Sequence, residues 1–173
     1  MKKTETRIML EICQEGVQDS NVTDAYIEEM KELTLKDPIE FQDLINIFNE
    51  EKKDETFILC FIAEVLVFLK WKPTIKYLYD IIEKSKSLSH KIMAAEYLVD
   101  MNDKKVWEYL IKLTKEAQQI NNPNRLGAIG LIFAKANTPA SAKLFMVLEK
   151  QYPDLNYNLS KEDQKRIHEL AKK

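Results

Sequence analysis

The chain has 173 residues, of which 45% are hydrophobic and 31% are charged, and it contains only 3 Gly and 5 Pro. This composition excludes a disordered or mainly β protein and predicts one helical domain, residues 1–173, with a substantial core. The net charge is −2, but residues 1–51 contain 5 Lys and Arg against 13 Asp and Glu, whereas residues 52–173 contain 21 against 15.

The beginning of the chain and its apolar segments predict neither a leader nor a membrane helix. The Lys2-Lys3 start superficially resembles a signal peptide, but three charged residues between positions 5 and 11 interrupt the apolar segment that would follow. The longest apolar run, residues 57–69, has 13 residues and contains Glu64, whereas a bilayer needs about 20. Cys13 and Cys60 suit a reducing compartment. We therefore expect a soluble, cytoplasmic protein that does not bind membranes.

Prolines and capping residues predict where the helices begin. Asp37-Pro38, Asn122-Pro123 and Thr138-Pro139 each place a capping side chain before a proline at the first helical position. Other helices are predicted to begin at Pro73 or after the caps Asp54, Ser89, Asn102 and Ser160. The predicted helices span residues 5–16, 22–36, 38–51, 55–70, 73–85, 89–101, 103–119, 123–136, 139–151 and 161–172.

A motif recurs about every 33 residues from position 41 onward. Its central leucines are Leu44, Leu78, Leu110 and Leu144, separated by 34, 32 and 34 residues. The flanking apolar residues are Phe41, Ile47, Ile75, Ile81, Trp107, Leu113 and Val147. Small residues precede three copies, and we expect these to be buried where helices approach closely: Ala63, Ala95 and Ala128. Each unit therefore predicts two helices, one with a small residue and one with a leucine stripe.

The two-helix units resemble HEAT or armadillo repeats over roughly residues 38–151. The best-matching stretches are KIMAAEYL at 91–98 and RLGAIGL at 125–131. The resemblance implies an all-α, right-handed α-solenoid of about four helical hairpins. Acidic helices within 1–36 and a helix within 160–173 would cap its two ends. It also implies a scaffold that binds other macromolecules, often along the surface lined by the second helices.

The residues that carry catalytic or metal chemistry do not form a recognisable constellation. The sequence contains no Gly-rich phosphate loop, HExxH, CxxC or Gly-x-Ser-x-Gly motif. His90 and His168 are far apart and are expected to face solvent. Glu64 and Glu96 occupy equivalent positions on neighbouring predicted helices and are interpreted as solvated carboxylates on the outer face. We predict no catalytic residue, metal or cofactor, and a protein that is not an enzyme.

A candidate binding ridge follows the predicted second helices on the side turned away from the core. Tyr77 and Tyr109 occupy equivalent positions about 100° from the central leucines, and tyrosines flanked by charges are typical of recognition surfaces. The ridge comprises Asp43, Tyr77, Tyr109 and Lys143, with Asn46, Asp80, Lys112 and Met146 beside it. The alternative is that these residues pack laterally against the adjacent repeat.

The predicted function is non-enzymatic protein binding, and the specific hypothesis is a cytoplasmic inhibitor or immunity-type protein with a basic partner. The acidic third would steer that partner, chiefly through Glu28, Glu29, Glu32 and Glu40. Two alternatives stay open: nucleic-acid binding, and an enzyme or small-molecule site in the concavity. The low number of arginines, three, and the pI of about 5.8 argue against nucleic-acid binding. We expect a monomer or a weak homo-oligomer.

Overall fold

The computed structural model describes residues 3–15, 20–51, 58–155, 157 and 159–173, and every regular element within them is an α-helix. The helices are α1 (Glu5–Glu15), α2 (Ser20–Lys36), α3 (Pro38–Glu51), α4 (Ile58–Phe68), α5 (Thr74–Lys84), α6 (Leu88–Asp100), α7 (Val106–Gln119), α8 (Pro123–Lys135), α9 (Pro139–Gln151) and α10 (Lys161–Ala171). The all-α prediction is confirmed for these residues. The predicted cap Asp54 lies outside the described residues.

Helices α3, α8 and α9 begin at the prolines predicted to start them. Asp37 and Asn122 each accept a hydrogen bond from a backbone amide two or three residues later, at 2.8 and 3.2 Å. Thr138 and Ser141 form a reciprocal capping box at the start of α9. Ser160 caps α10 as predicted, accepting a 3.0 Å bond from the amide of residue 163.

Two predicted caps are wrong. The cap of α6 is Ser87, whose extended backbone leaves its hydroxyl free to accept from the amide of His90, and Ser89 lies inside the helix. Asn102 does not begin α7 but ends α6, because its φ of 58° is in the left-handed region.

Four helices end at a residue with left-handed backbone geometry: Lys70, Asn102, Asn121 and Asn137 follow α4, α6, α7 and α8 with φ between 48° and 58°. After α4, α6 and α7, two reversed amide bonds of 2.9–3.1 Å satisfy the last carbonyls, the pattern of a Schellman motif. Asparagine tolerates this conformation better than other residues with a side chain. The chain therefore turns sharply after these helices without glycine.

The chain separates into two compact units, residues 1–77 and 78–173, and the boundary falls within α5. In the first unit, each of α1, α2, α3 and α4 contacts the other three. Their shared core contains the fully or almost fully buried residues Leu10, Cys13, Met30, Leu44, Ile62 and Leu66. Helices α1 and α2 thus share one core with α3 and α4.

In the second unit, α6 packs on α7, α8 packs on α9, and α6 also contacts α8. The core residues with 0–2% exposure include Leu98, Leu110, Leu126, Ile129, Ile132 and Phe145. The segment after α9 brings Tyr157 against Phe145, with ring centroids 4.9 Å apart, and α10 then packs on α9.

The predicted repeat register is correct in part. Ala63 and Ala95 are fully buried, as are the first three central leucines. Ala128 is instead partly exposed, and Ile129 occupies the buried position.

The fourth copy of the leucine stripe is displaced by one residue. Phe145 is fully buried, Leu144 is only partly buried, and Val147 is 63% exposed. Because one residue turns a helix by about 100°, this shift moves every side chain of α9 away from its predicted direction.

Candidate functional site

The acidic face of α2 lies at the surface as predicted. The side chains of Glu28 and Glu32 are 71% and 74% exposed, and Glu29 is also exposed. Glu28 pairs with Lys31 at 2.7 Å and Glu32 with Lys36 at 2.9 Å. The steering role of this face remains a prediction, and its negative charge is partly offset by these two lysines.

Lys31 connects this face to the interior of the first unit. Its Nζ lies 2.8 Å from Glu64 on α4 as well as 2.7 Å from Glu28, and 5.7 Å from the centroid of the Phe68 ring. Burial lowers the pKa of Lys31, but the two carboxylate hydrogen bonds outweigh it, so the pKa is raised. The ammonium group is therefore charged and held in place.

Glu64 and Glu96 are not simply solvated carboxylates. Glu64 binds Lys31 of α2, and Glu96 binds Lys135 of α8 at 2.6 Å. Each pair joins two helices of its unit that are not consecutive in sequence, α2 with α4 and α6 with α8. Both glutamates are thereby assigned to helix packing.

Two exposed aliphatic side chains follow the acidic face in sequence, and sequence reasoning missed both. Leu35 is 63% exposed near the end of α2, and Ile39 is 71% exposed in the first turn of α3. Glu28, Glu32 and Leu35 share one stripe, because residues four and seven apart lie on the same side of a helix. The structure places Leu35 outside the buried stripe that contains Met30.

Glu40 does not belong to this face. It is only 8% exposed, and its carboxylate accepts hydrogen bonds from the amides of Glu5 at 3.1 Å and Thr6 at 2.9 Å, the first amides of α1. A carboxylate is favoured there because a helix N-terminus carries unpaired amides and partial positive charge. The prediction of a steering role for Glu40 is corrected accordingly: it caps α1 from α3.

Asp43, predicted to lie on the binding ridge, is likewise engaged in contacts between α3 and the beginning of α1. It accepts from the hydroxyl of Thr4 and from Arg7 at 3.3 Å, and this hydrogen bond is the main cause of the raised pKa of Arg7. Asn46, one turn later, is exposed and accepts from Gln42 at 3.2 Å.

Tyr77 is half-buried in the first unit, and its ring meets Phe48 edge to face with centroids 5.0 Å apart. This contact agrees with the alternative that Tyr77 packs laterally, and it does not fit an open binding ridge. In the second unit, Asp80 is partly exposed and pairs with Lys84 at 2.6 Å.

Tyr109 is the ridge residue with the most elaborate surroundings. Its hydroxyl donates to Glu83 at 2.8 Å, its ring centroid lies 5.2 Å from that of Tyr79, and the Nζ of Lys112 lies 5.1 Å from its ring centroid. The hydrogen bond to Glu83 raises the pKa of Tyr109. Burial and a 2.8 Å bond to Asp103 likewise raise the pKa of Tyr79. Both hydroxyls are thereby held as hydrogen-bond donors to these carboxylates.

Lys143 and Met146 line a cavity of about 480 Å³ between α9 and α10, which also borders Val147 and His168. A second, apolar cavity of about 150 Å³ opens between α7, α8 and α9. Val147 borders both cavities. The two cavities, with Val147 between them, are here called the groove. Sequence reasoning missed it because it placed Val147 on the buried stripe.

The histidines lie apart from any metal-binding arrangement in the described part of the chain. His90 is exposed, and His168 contacts Glu149 at 3.1 Å. Within the described ranges, no group of three His, Cys, Asp or Glu side chains could hold a metal ion. No helix among those described is long and apolar enough to cross a membrane.

No protein-family model matches the chain, and neither the curated proteins nor the solved structures compared with it include a similar protein.

Proposed function

We propose that the chain is a non-enzymatic, protein-binding module of HEAT-like helical hairpins whose α2 face receives a basic protein. The observation that carries this proposal is the juxtaposition of exposed acids with exposed aliphatic side chains. Glu28 and Glu32 lie on the same stripe of α2 as Leu35, and Ile39 follows three residues after the helix ends. Apolar anchors surrounded by charge are typical of protein recognition surfaces.

The aliphatic and acidic groups would contribute differently to binding. Fully burying a leucine or isoleucine side chain is worth about 1.5–3 kcal/mol, whereas an exposed ion pair is worth about 0–1 kcal/mol. Leu35 and Ile39 would therefore supply most of the affinity. The glutamates would act on the association rate and on the choice of partner.

Contacts within the second unit support the repeat assignment. Helices α6 and α7 pack together, α8 and α9 pack together, and α6 contacts α8, as expected of two stacked hairpins. The ion pair between Glu96 and Lys135 joins α6 to α8. A module of this kind with an acidic face suits an inhibitor that covers a basic site on its target, which is the specific role we propose.

Affinity capture from the source cells tests the proposal. The immobilised unaltered chain should retain a basic protein, and the Glu28→Lys/Glu29→Lys/Glu32→Lys and Leu35→Ala/Ile39→Ala variants should lose it. Glu108→Lys/Glu162→Lys/Glu169→Lys is the matched control, because it makes the same charge change at exposed acids of the second unit. Equal capture of the same protein by all four baits would refute the role of α2. Retention of nucleic acid as the main species would favour the alternative.

A further inference from the structure

The groove on α7, α9 and α10 is an apolar surface with a basic rim. Its smaller cavity is lined by Ile111, Phe133, Leu144 and Val147, and its larger cavity adds Met146 on the other side of Val147.

The rim carries positive charge that has no ion-pair partner among the described residues. Lys115 borders the smaller cavity, and Lys143 and Lys172 border the larger one. All three are exposed, and none has a carboxylate within ion-pair distance in the part of the chain that the structure describes. Glu149 contacts His168, which borders the larger cavity, at 3.1 Å. An occupant of the groove should therefore be both acidic and aliphatic.

We propose that this groove binds the exposed α2 face of a second copy of the chain. That face has the complementary composition, with Glu28 and Glu32 on one stripe with Leu35. The charge distribution favours the same pairing, because residues 1–51 and 52–173 carry opposite net charges. The groove rim contains no arginine, so it lacks the bidentate groups that nucleic-acid sites use, and the imidazole of His168 that borders it is engaged by Glu149.

The smaller cavity has a size that suits one aliphatic side chain. A cavity of about 150 Å³ holds one small apolar group, so the smaller cavity has room for the end of one aliphatic side chain. Residues seven apart on a helix are separated by about 10 Å along its axis. In the proposed contact, a helix lying across α9 places Leu35 in the smaller cavity and Glu28 against Lys143 and Lys172, which line the larger cavity on the other side of Val147.

Formation of this contact requires Glu28 and Glu32 to exchange their present partners for lysines of the second copy. Both present pairs are exposed at the carboxylate and lie within one helix, and the largely buried Lys31 keeps Glu64 as its second partner at 2.8 Å, so the exchange should cost little. The net gain would come from covering Leu35 and Val147.

The contact joins two different surfaces, so it is heterologous and either closes into a ring or continues into a chain of copies. It occupies the same α2 face as the proposed basic partner. Self-association and partner binding therefore exclude each other. In the assembled form the α2 face would be covered and unavailable to the partner.

Sedimentation velocity with complementary variants tests the proposal. Variant A is Glu28→Gln/Glu32→Gln/Leu35→Ser, and variant B is Lys143→Gln/Lys172→Gln/Val147→Ser. The unaltered chain should sediment faster as concentration rises from about 10 μM to about 1 mM, and less so at about 0.5 M salt. A and B alone should associate at least about tenfold more weakly, and their mixture should form a 1:1 dimer that does not grow, because only one intact contact remains.

The matched control is Lys104→Gln/Lys105→Gln, which removes two exposed lysines elsewhere in the second unit and should assemble like the unaltered chain. The proposal is overturned if the unaltered chain stays monomeric, if A or B assembles normally, or if their mixture stays monomeric. Loss of duplex-DNA retention by B, with unchanged assembly, would assign the groove to nucleic acid instead. All altered residues are exposed, and circular dichroism checks that each variant folds.

Variant B also separates this proposal from the proposed function. Its α2 face is unaltered, so B should still capture the basic partner although it no longer assembles. Assembly without any captured partner would contradict only the proposed function, whereas partner capture by a strictly monomeric chain would contradict only the self-association.

Discussion

Gly127 and Gly130 lie three positions apart on α8 and have opposite surroundings. A β-carbon added at Gly130 would overlap the ring of Tyr157, lying 2.9 Å from its Cδ1 atom, and would be 3.3 Å from Leu148. A β-carbon at Gly127 would meet nothing within 4 Å. Gly130 is thus required by the close approach of the segment after α9, whereas Gly127 only lowers the helix propensity of α8.

The two alanine substitutions should therefore change stability in opposite directions. Gly130→Ala should lower the free energy of unfolding by about 1–3 kcal/mol through overpacking against Tyr157. Gly127→Ala should raise it by about 0.5–1 kcal/mol, because alanine is the better helix former. Urea unfolding followed by circular dichroism measures both. Similar effects of the two substitutions would mean that Tyr157 does not pack on Gly130.

Glu40 contributes to the acidic composition of residues 1–51, but its position gives it a structural role. Glu40→Ala should lower the free energy of unfolding by about 1–3 kcal/mol, because the buried amide of Thr6 and the part-buried amide of Glu5 lose their acceptor. Glu29→Ala is the control, since Glu29 is exposed and should change stability by less than about 0.5 kcal/mol. Equal effects in urea unfolding would contradict the capping role.

At the scale of the helices, the sequence predicts elements better than it predicts their rotation. Helix starts at Pro38, Pro123 and Pro139 were correct because capping and proline geometry act within a few residues. The rotation of α9 was wrong by one residue, because its buried side depends on packing against α8, Tyr157 and α10, which lie outside the helix's own sequence pattern. Periodicity alone contains no information about those neighbours.

The predicted packing alanines differ in burial between α6 and α8, and this difference can be tested. Ala95→Leu should destabilise the second unit by about 1–3 kcal/mol, because Ala95 is fully buried on α6. Ala128→Leu on α8 should have a much smaller effect, since Ala128 is partly exposed. The melting temperatures of the two variants provide the comparison. An unchanged melting temperature for Ala95→Leu would show that α6 does not pack as the structure describes.

At the scale of the whole molecule, the uneven charge was evident from the sequence, but which of the charged residues lie at the surface was not. Composition correctly indicated an exposed acidic face at Glu28, Glu29 and Glu32. It could not separate these from Glu40, because burial of that carboxylate depends on α1 lying against α3. The exposure of Leu35 and Val147 likewise follows from tertiary packing, so both apolar anchors had to be found in the structure.

The central claim, that the α2 face steers a basic protein, is tested most directly by association rates of the captured partner at two salt concentrations. The Glu28→Lys/Glu29→Lys/Glu32→Lys variant should associate about tenfold or more slowly at low salt and depend less on salt, with little change in dissociation. The Glu108→Lys/Glu162→Lys/Glu169→Lys control should behave like the unaltered chain. Equal slowing in both variants would contradict the claim, as would strong binding of the unaltered chain to a random DNA duplex near about 0.15 M salt.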